Sequence, residues 1–238
     1  MADGSLFAAS AALLIAYLVG SFPNAYLLVR RITGEDITTH GSGNVGAMNV
    51  RRTTGSWGWF VVAMAADIFK GFAPVAAAKL ITTGSVALLA RPWGMVLTAV
   101  GPDWWRHAVY YVPMAAVAGA VLGHNYSIWL AIAKKHFIRT GKGLATGAGA
   151  LLAYDWRYFV AVVGVGLVVI AVTRYMMAGQ VAAALTLPVT AFTLRSPEWT
   201  FATVMGLVVY AAHHRRFMGL LRGQEPRFYI HDHQGPRG

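Results

Sequence analysis

SLFAASAALLIAYLVGSFPNAYLLV, residues 5–29, is the stretch that decides the class of fold. It contains no charged side chain, and it exceeds the ~20 apolar residues that a helix needs to cross a bilayer. No basic segment precedes it, so we interpret it as a membrane span and not as a cleavable signal peptide. The chain is therefore predicted to start with a membrane helix over 5–30.

The composition extends this prediction to the whole chain. Of the 238 residues 57% are hydrophobic and only 12% are charged, about half of the charged fraction of soluble domains. We predict an all-α integral membrane protein with about seven transmembrane helices, some short or broken, in one domain over 1–223 with a polar, flexible tail over 224–238. The helices are predicted at 5–30, 57–81, 107–133, 143–154, 158–173, 179–194 and 198–212, and an interfacial loop or hairpin at 85–100.

The basic residues cluster on one side of this topology. Fourteen of the 20 Lys and Arg lie in the first, third and fifth connections and in the tail, which predicts an outside N-terminus and a cytoplasmic C-terminus. Topology thus accounts for most of the +11 net charge, and we expect no nucleic-acid partner. The chain has no cysteine, which excludes disulfides, thiolate metal sites and a cysteine nucleophile.

The first connection carries a polar, glycine-rich segment, GSGNVGAMNV at 41–50, followed by Arg51 and Arg52. Three glycines within six residues let backbone N–H groups line one concavity, and the arginines add positive charge, so the segment is suited to phosphate. The spacing also matches a dinucleotide fingerprint, but that motif requires a preceding strand, and here a membrane helix precedes it. An ordinary interhelical loop remains the alternative.

A second loop, TGKG at 140–143, opens directly onto a predicted helix. Free N–H groups at a helix start and the Lys142 ammonium together favour an anion. It is not a Walker loop, because His136 stands where that pattern needs glycine. Two such loops indicate either two phosphates or one phosphate held from both sides.

Polar residues inside predicted helices are the remaining candidates. Asp67 and Lys70 share a helix face, and each charge costs ~2.5–3.5 kcal/mol at a helix centre. They form either a structural ion pair or a site in which Asp67 holds Lys70 near a substrate phosphate. His124 and Asn125 end or interrupt the third helix, as packing or as binding residues. No second histidine or carboxylate has metal-ligand spacing, so no metal is expected.

In their order along the chain, these pieces resemble the bacterial acyl-phosphate:glycerol-3-phosphate acyltransferases, the PlsY family, from about residue 16 to 225. The resemblance rests on 41–52, on 123–125 with 141–143, and on 213–225. It implies a seven-helix protein of the bacterial inner membrane with a cytoplasmic active site. It also implies acyl transfer from acyl phosphate to the 1-hydroxyl of glycerol 3-phosphate, giving lysophosphatidic acid and phosphate without a cofactor.

By this resemblance Ser42, Arg52, Lys142 and His213 fall at the active centre. Arg52 and Lys142 would hold phosphates, His213 would act as a base or orient the attacking hydroxyl, and Ser42 would contribute a hydrogen bond. The substrate- and phosphate-binding residues are predicted to be Gly41, Gly43, Asn44, Gly46, Asn49, Asp67, Lys70, His124, Asn125, Gly141 and Gly143.

Several positions depart from the family pattern. Met48 stands where threonine is usual, Ser127 where proline is usual, and Met177 where serine is expected. Arg216 occupies an asparagine position, and arginine only donates hydrogen bonds whereas asparagine also accepts them. The alternative is therefore a degenerate homologue that serves as a structural subunit of a larger membrane complex, with protein partners.

Overall fold

The computed structural model describes residues 2–82, 103–137, 139–225 and 227. Regular structure within these ranges is entirely helical. The predicted loop at 85–100 and most of the predicted tail lie outside the described residues. The helices are α1 (Ala2–Gly20), α2 (Asn24–Thr33), α3 (Ala47–Thr54), α4 (Trp57–Thr82), α5 (Asp103–Asn125), α6 (Ile128–Lys134), α7 (Leu144–Tyr154), α8 (Trp156–Thr173), α9 (Met176–Thr193) and α10 (Trp199–Leu221), with a 3₁₀ turn at Ile37–Thr39.

Five segments among the described residues are long and apolar enough to cross a membrane. Two shorter apolar helices accompany them, and their lengths agree with the expectation that some helices are short. The protein is thus a multi-pass helical membrane protein, while the count of seven crossings and the orientation of the termini stay predictions. The five segments are Gly4–Thr33, Trp57–Thr82, Ala108–Lys134, Trp156–Thr173 and Met176–Thr193.

The chain forms two compact units, 1–156 and 157–238, and the single membrane domain stays a prediction. In the first unit, α4 packs closely on α7 because Gly71 and Gly149 lie against backbone carbonyls of the opposite helix. Small residues allow such close approach between membrane helices. In the second unit, Gly206 of α10 lies against the Ala184 carbonyl of α9 in the same way.

Two of the predicted helices are interrupted. The single helix predicted over 5–30 is wrong: α1 ends at Gly20 and α2 begins at Asn24, because Pro23 lacks an N–H and its ring displaces the preceding turn. The helix predicted over 107–133 begins earlier, at 103, and stops at Asn125, which confirms the interruption predicted there. Ser127 then caps α6 by accepting the Leu130 N–H at 3.2 Å.

The two interruptions lie against each other within the first unit. Backbone carbonyls at a break lose their helical partners, and lipid offers them no replacement. Side chains from neighbouring elements donate to them instead. Ser127 Oγ donates to Ser21 O (2.5 Å), Tyr17 OH to Tyr126 O (2.8 Å), Trp129 Nε1 to Leu18 O (3.1 Å) and Lys70 Nζ to Phe22 O (3.1 Å).

Two further predictions about regular structure need correction. The predicted loop over 41–52 is helical from Ala47, since α3 starts after an extended Gly46 and ends at Thr54, before Gly55 in the left-handed region, φ +69°. The last helix does not end at 212 but continues to Leu221. In both cases the helical residues include polar and basic ones. Hydropathy identifies only apolar helices, so it does not predict helix there. The helices predicted from 57, 143, 158 and 179 start within about three residues of α4, α7, α8 and α9.

Candidate active site

The first glycine loop precedes α3 and has the conformation that its glycines allow. Gly41 and Gly43 lie at φ +55° and +68°, in the left-handed region that costs other residues energy. The Gly43 N–H donates to His40 O at 2.9 Å. A Cβ on Gly41 would collide with the side chain of Asn49, so this position also lacks room for a side chain.

Asn49 is the residue that holds this loop together. Its side chain is buried, and its Nδ2 donates to Ile37 O at 3.1 Å and to His40 O at 3.0 Å. Its Oδ1 accepts the Ser42 N–H at 3.0 Å. Sequence analysis predicted Asn49 as a binding residue, and the structure gives it a positioning role in the loop.

Ser42, Asn44 and Arg52 are the loop groups with access to solvent or ligand. Ser42 and Arg52 are exposed and Asn44 is half-buried. Asn44 Nδ2 donates to Ser42 Oγ at 3.3 Å. The Arg52 side chain passes Gly41, with Cδ 3.5 Å from where a Cβ on that glycine would stand. The Ser42 hydroxyl and the Asn44 amide are therefore bonded to each other, and the Arg52 side chain passes the same loop.

An acidic residue before the loop, Asp36, is a further part of the site that sequence analysis did not identify. Its carboxylate accepts the Thr38 N–H at 3.0 Å, which caps the 3₁₀ turn. It also forms an ion pair with Lys134 at the end of α6. The Asp-x-Thr pattern at 36–38 is typical of a capped turn and could have identified this role of Asp36 from the sequence.

The second glycine loop lies on the break between α5 and α6. Thr140 Oγ1 donates to His124 O at 2.9 Å, and the Thr140 N–H donates to Asn125 O at 2.8 Å. Ser127, where the resemblance predicts proline, donates its own N–H to Thr140 Oγ1 at 3.2 Å, a bond that proline lacks. Gly143, at φ +73°, then starts α7.

One backbone hydrogen bond joins the two loops. The Val45 N–H donates to Thr140 O at 2.7 Å. Lys142, which is half-buried, follows Thr140 by two residues. The structure therefore brings together the segments that carry Ser42, Arg52 and Lys142.

A buried charged cluster lies behind the second loop. Lys70 Nζ is 2.9 Å from Asp67 Oδ1, and His124 Nδ1 is 3.7 Å from the same oxygen. All three side chains are less than 10% exposed. Because the Lys70 ammonium also bonds the Phe22 carbonyl at the break of the first span, this arrangement favours the structural interpretation of the Asp67–Lys70 pair.

His213 belongs to the second unit, where it lies buried on α10. Its Nδ1 is 2.8 Å from Val209 O. A carbonyl only accepts, so Nδ1 carries the proton in the neutral ring and Nε2 holds the basic lone pair. The convergence of His213 on the two glycine loops stays a prediction.

Arg216, three residues after His213, forms a two-pronged ion pair. Its Nε donates to Glu225 Oε1 at 2.9 Å, and its Nη2 bonds the other carboxylate oxygen. Such bidentate pairing suits the planar guanidinium. Arg216 is thus matched by a carboxylate in its own unit. Met177 is buried on α9, and nothing in the structure explains the methionine at 48.

Comparison with known proteins places these features in a family context. A family model described as glycerol-3-phosphate acyltransferase matches residues 10–223. A glycerol-3-phosphate acyltransferase of Thermus thermophilus is 38% identical over 217 residues, covering 90% of this chain and 92% of the relative. One of Acaryochloris marina is 34% identical over 221 residues, covering 90% of each chain.

Two solved structures share the fold. Both are crystal structures of PlsY (YgiH), an integral membrane glycerol 3-phosphate acyltransferase, in a glycerol 3-phosphate form and a lysophosphatidic acid form. The TM-scores are 0.70 and 0.68 at 25% sequence identity, and both matches cover 93% of this chain. They cover 96% and 95% of the crystallised chains.

Proposed function

The chain belongs to the glycerol-3-phosphate acyltransferase family, and on this premise we propose that it transfers a fatty acyl group from acyl phosphate to glycerol 3-phosphate at the bacterial inner membrane. In this reaction the 1-hydroxyl oxygen attacks the acyl carbonyl carbon. The bond between that carbon and the phosphate oxygen breaks, and the hydroxyl proton passes to a base. The products are lysophosphatidic acid and inorganic phosphate.

The observation that carries the proposal is the hydrogen bond from the Val45 N–H to Thr140 O. It joins two glycine loops that each carry a cation, Arg52 in one and Lys142 in the other, and that each lead into the start of a helix. The start of a helix favours phosphate, because its first N–H groups have no partner within the helix. Both proposed substrates carry a phosphate group, so a paired anion site beside apolar helices fits their shared chemistry.

The individual roles follow from side-chain chemistry. Arg52 offers a planar fork for two phosphate oxygens, and Lys142 offers a compact charge. Ser42 contributes a hydrogen-bonding hydroxyl. Acyl phosphate is already activated, so the enzyme mainly has to align hydroxyl and carbonyl and stabilise the developing oxyanion. His213, with Nε2 basic, accepts the hydroxyl proton or orients the hydroxyl while a substrate phosphate accepts it.

The pairing of Arg216 with Glu225 favours one alternative, a structural subunit without activity. A guanidinium cannot accept a hydrogen bond from the glycerol hydroxyls, as asparagine would. If substrate binding or reaction requires a hydrogen-bond acceptor at position 216, the protein would keep its fold but would not turn over substrate.

The deciding experiment measures phosphate release from palmitoyl phosphate by the purified protein in detergent, with and without glycerol 3-phosphate. We expect release, and lysophosphatidic acid formation, only when glycerol 3-phosphate is present. R52A and K142A should abolish turnover while retaining the melting temperature. R31A, which removes an exposed cation at the end of α2, is the matched control and should retain activity. No glycerol-dependent release from the wild type would contradict the proposed function and favour the structural alternative, and full activity in R52A or K142A would refute the site assignment.

A further inference from the structure

We propose that the imidazole of His124, backed by the Asp67 carboxylate, is a positioning group that sets the second glycine loop and, through it, Lys142. Its kinetic consequence rests on the proposed function. Sequence analysis grouped both residues with the phosphate-binding side chains. The geometry gives them a different task, because both are buried behind the loop.

The ring of His124 forms the surface against which Gly141 lies. A Cβ on Gly141 would meet Nε2 and Cδ2 of the imidazole at less than van der Waals distance. Gly141 is not among the positive-φ glycines, so the ring and the carbonyl of His124, and not the backbone conformation, require glycine here. The carbonyl of the same histidine accepts from Thr140 Oγ1. Ring and backbone of His124 thus hold two consecutive residues of the loop.

The opposite edge of the ring faces α4. His124 Nδ1 is 3.7 Å from Asp67 Oδ1, longer than a hydrogen bond, so the carboxylate acts through charge and packing. Asp67 is itself held by Lys70 at 2.9 Å. The imidazole is therefore enclosed between a fixed carboxylate and the loop backbone, and it has little freedom to move.

Lys142 follows Gly141 directly, and Gly143 follows with its left-handed conformation at the start of α7. A displacement of the Gly141 peptide therefore moves the Lys142 backbone and the N–H groups at the helix start together. A misplacement of about 1 Å can cost about 100-fold in rate. We infer that His124 acts on the reaction through the loop and does not contact substrate.

A double-mutant cycle tests the contact. G141A should lower kcat/KM about 100-fold because the new methyl displaces the ring or the loop. H124A should lower it about 10-fold, since the loop loses its support but keeps its backbone bonds. The double variant should be no worse than G141A, because removing the ring makes room for the methyl. The His124 carbonyl oxygen stays 2.8 Å from the new Cβ, so recovery is partial. G147A, whose Cβ would meet only Val121 Cγ2 at 3.8 Å, is the control and should retain activity.

Additive losses, about 1,000-fold in the double variant, would overturn the proposal, since two groups that contact substrate separately behave in that way. A second readout separates positioning from general structural damage. The substrate whose KM rises in K142R should be the one whose KM rises in H124A. A fall in kcat with both KM values unchanged would refute positioning.

The melting temperatures of the same four proteins, measured in detergent, provide a test that does not depend on activity. We expect the double variant to melt higher than the sum of the single losses predicts. If the wild type shows no acyl transfer but the melting temperatures are coupled in this way, the proposed function fails and the contact stands. If the melting temperatures are additive, the positioning proposal fails whatever the activity.

Discussion

Replacing Asn49 by alanine removes the three hydrogen bonds that hold the first glycine loop. The side chain donates to Ile37 O (3.1 Å) and His40 O (3.0 Å) and accepts from the Ser42 N–H (3.0 Å). The first bond is buried and the other two are partly buried. A buried group left without a partner costs ~1–3 kcal/mol, and an ordinary bond contributes ~0.5–1.5 kcal/mol. The substitution should therefore reduce the free energy that favours the ordered loop over disordered conformations by about 3 kcal/mol.

If the transition state needs the ordered loop, that loss corresponds to a decrease of about 100-fold in kcat/KM. The assay is lysophosphatidic acid formation from palmitoyl phosphate and glycerol 3-phosphate in detergent. T53A is the matched control, because Thr53 lies on the same helix and its Oγ1 bonds only the Asn49 carbonyl, at 3.0 Å. We expect T53A within about twofold of wild type, since helix surface hydroxyls contribute little. Activity of N49A within threefold of wild type, or equal losses in both variants, would refute the reasoning.

Three other predictions concern the fold. Lys70→Met should lower the free energy of unfolding by about 3–5 kcal/mol, because it leaves the buried Asp67 carboxylate unpaired, and an unchanged melting temperature would contradict the buried pair. Gly71→Ala should cost about 1–3 kcal/mol because its methyl meets a carbonyl of α7. Gly164→Ala, with open space around the new Cβ, should not destabilise, and equal melting temperatures for the two variants would contradict the close packing. A reporter fused after Gly238 should report cytoplasm; a periplasmic signal would reverse the predicted topology.

Sequence patterns predicted most helices because apolar runs in a membrane protein are long and continuous. α4 ends within one residue of its predicted end. The same reasoning missed the break at 21–23, since its residues interrupt the apolar run too briefly to lower its average hydropathy, although Pro23 was visible. It also missed α3, which is only eight residues long and mostly polar.

The site was predictable where its chemistry is local in the chain. The Asp67–Lys70 pair lies at i,i+3, and both glycine loops are contiguous. The roles of Asn49 and His124 were not predictable, because they depend on partners far along the chain. Asn49 bonds a carbonyl 12 residues away, and His124 meets a carboxylate on another helix.

The facing interruptions in two spans have a consequence for how the chain is made. During synthesis the first span reaches the bilayer before the groups that cap its break, since Trp129 and Ser127 emerge about a hundred residues later and Lys70 about fifty. Until then Leu18 O keeps the Ser21 hydroxyl and Phe22 O keeps the Asn24 N–H, whereas the Ser21 carbonyl lacks its Ser127 donor in hydrocarbon, which is costly. We expect the nascent first span to dwell beside the translocon or near headgroup water, and to settle at its final depth only after the later segments have been inserted.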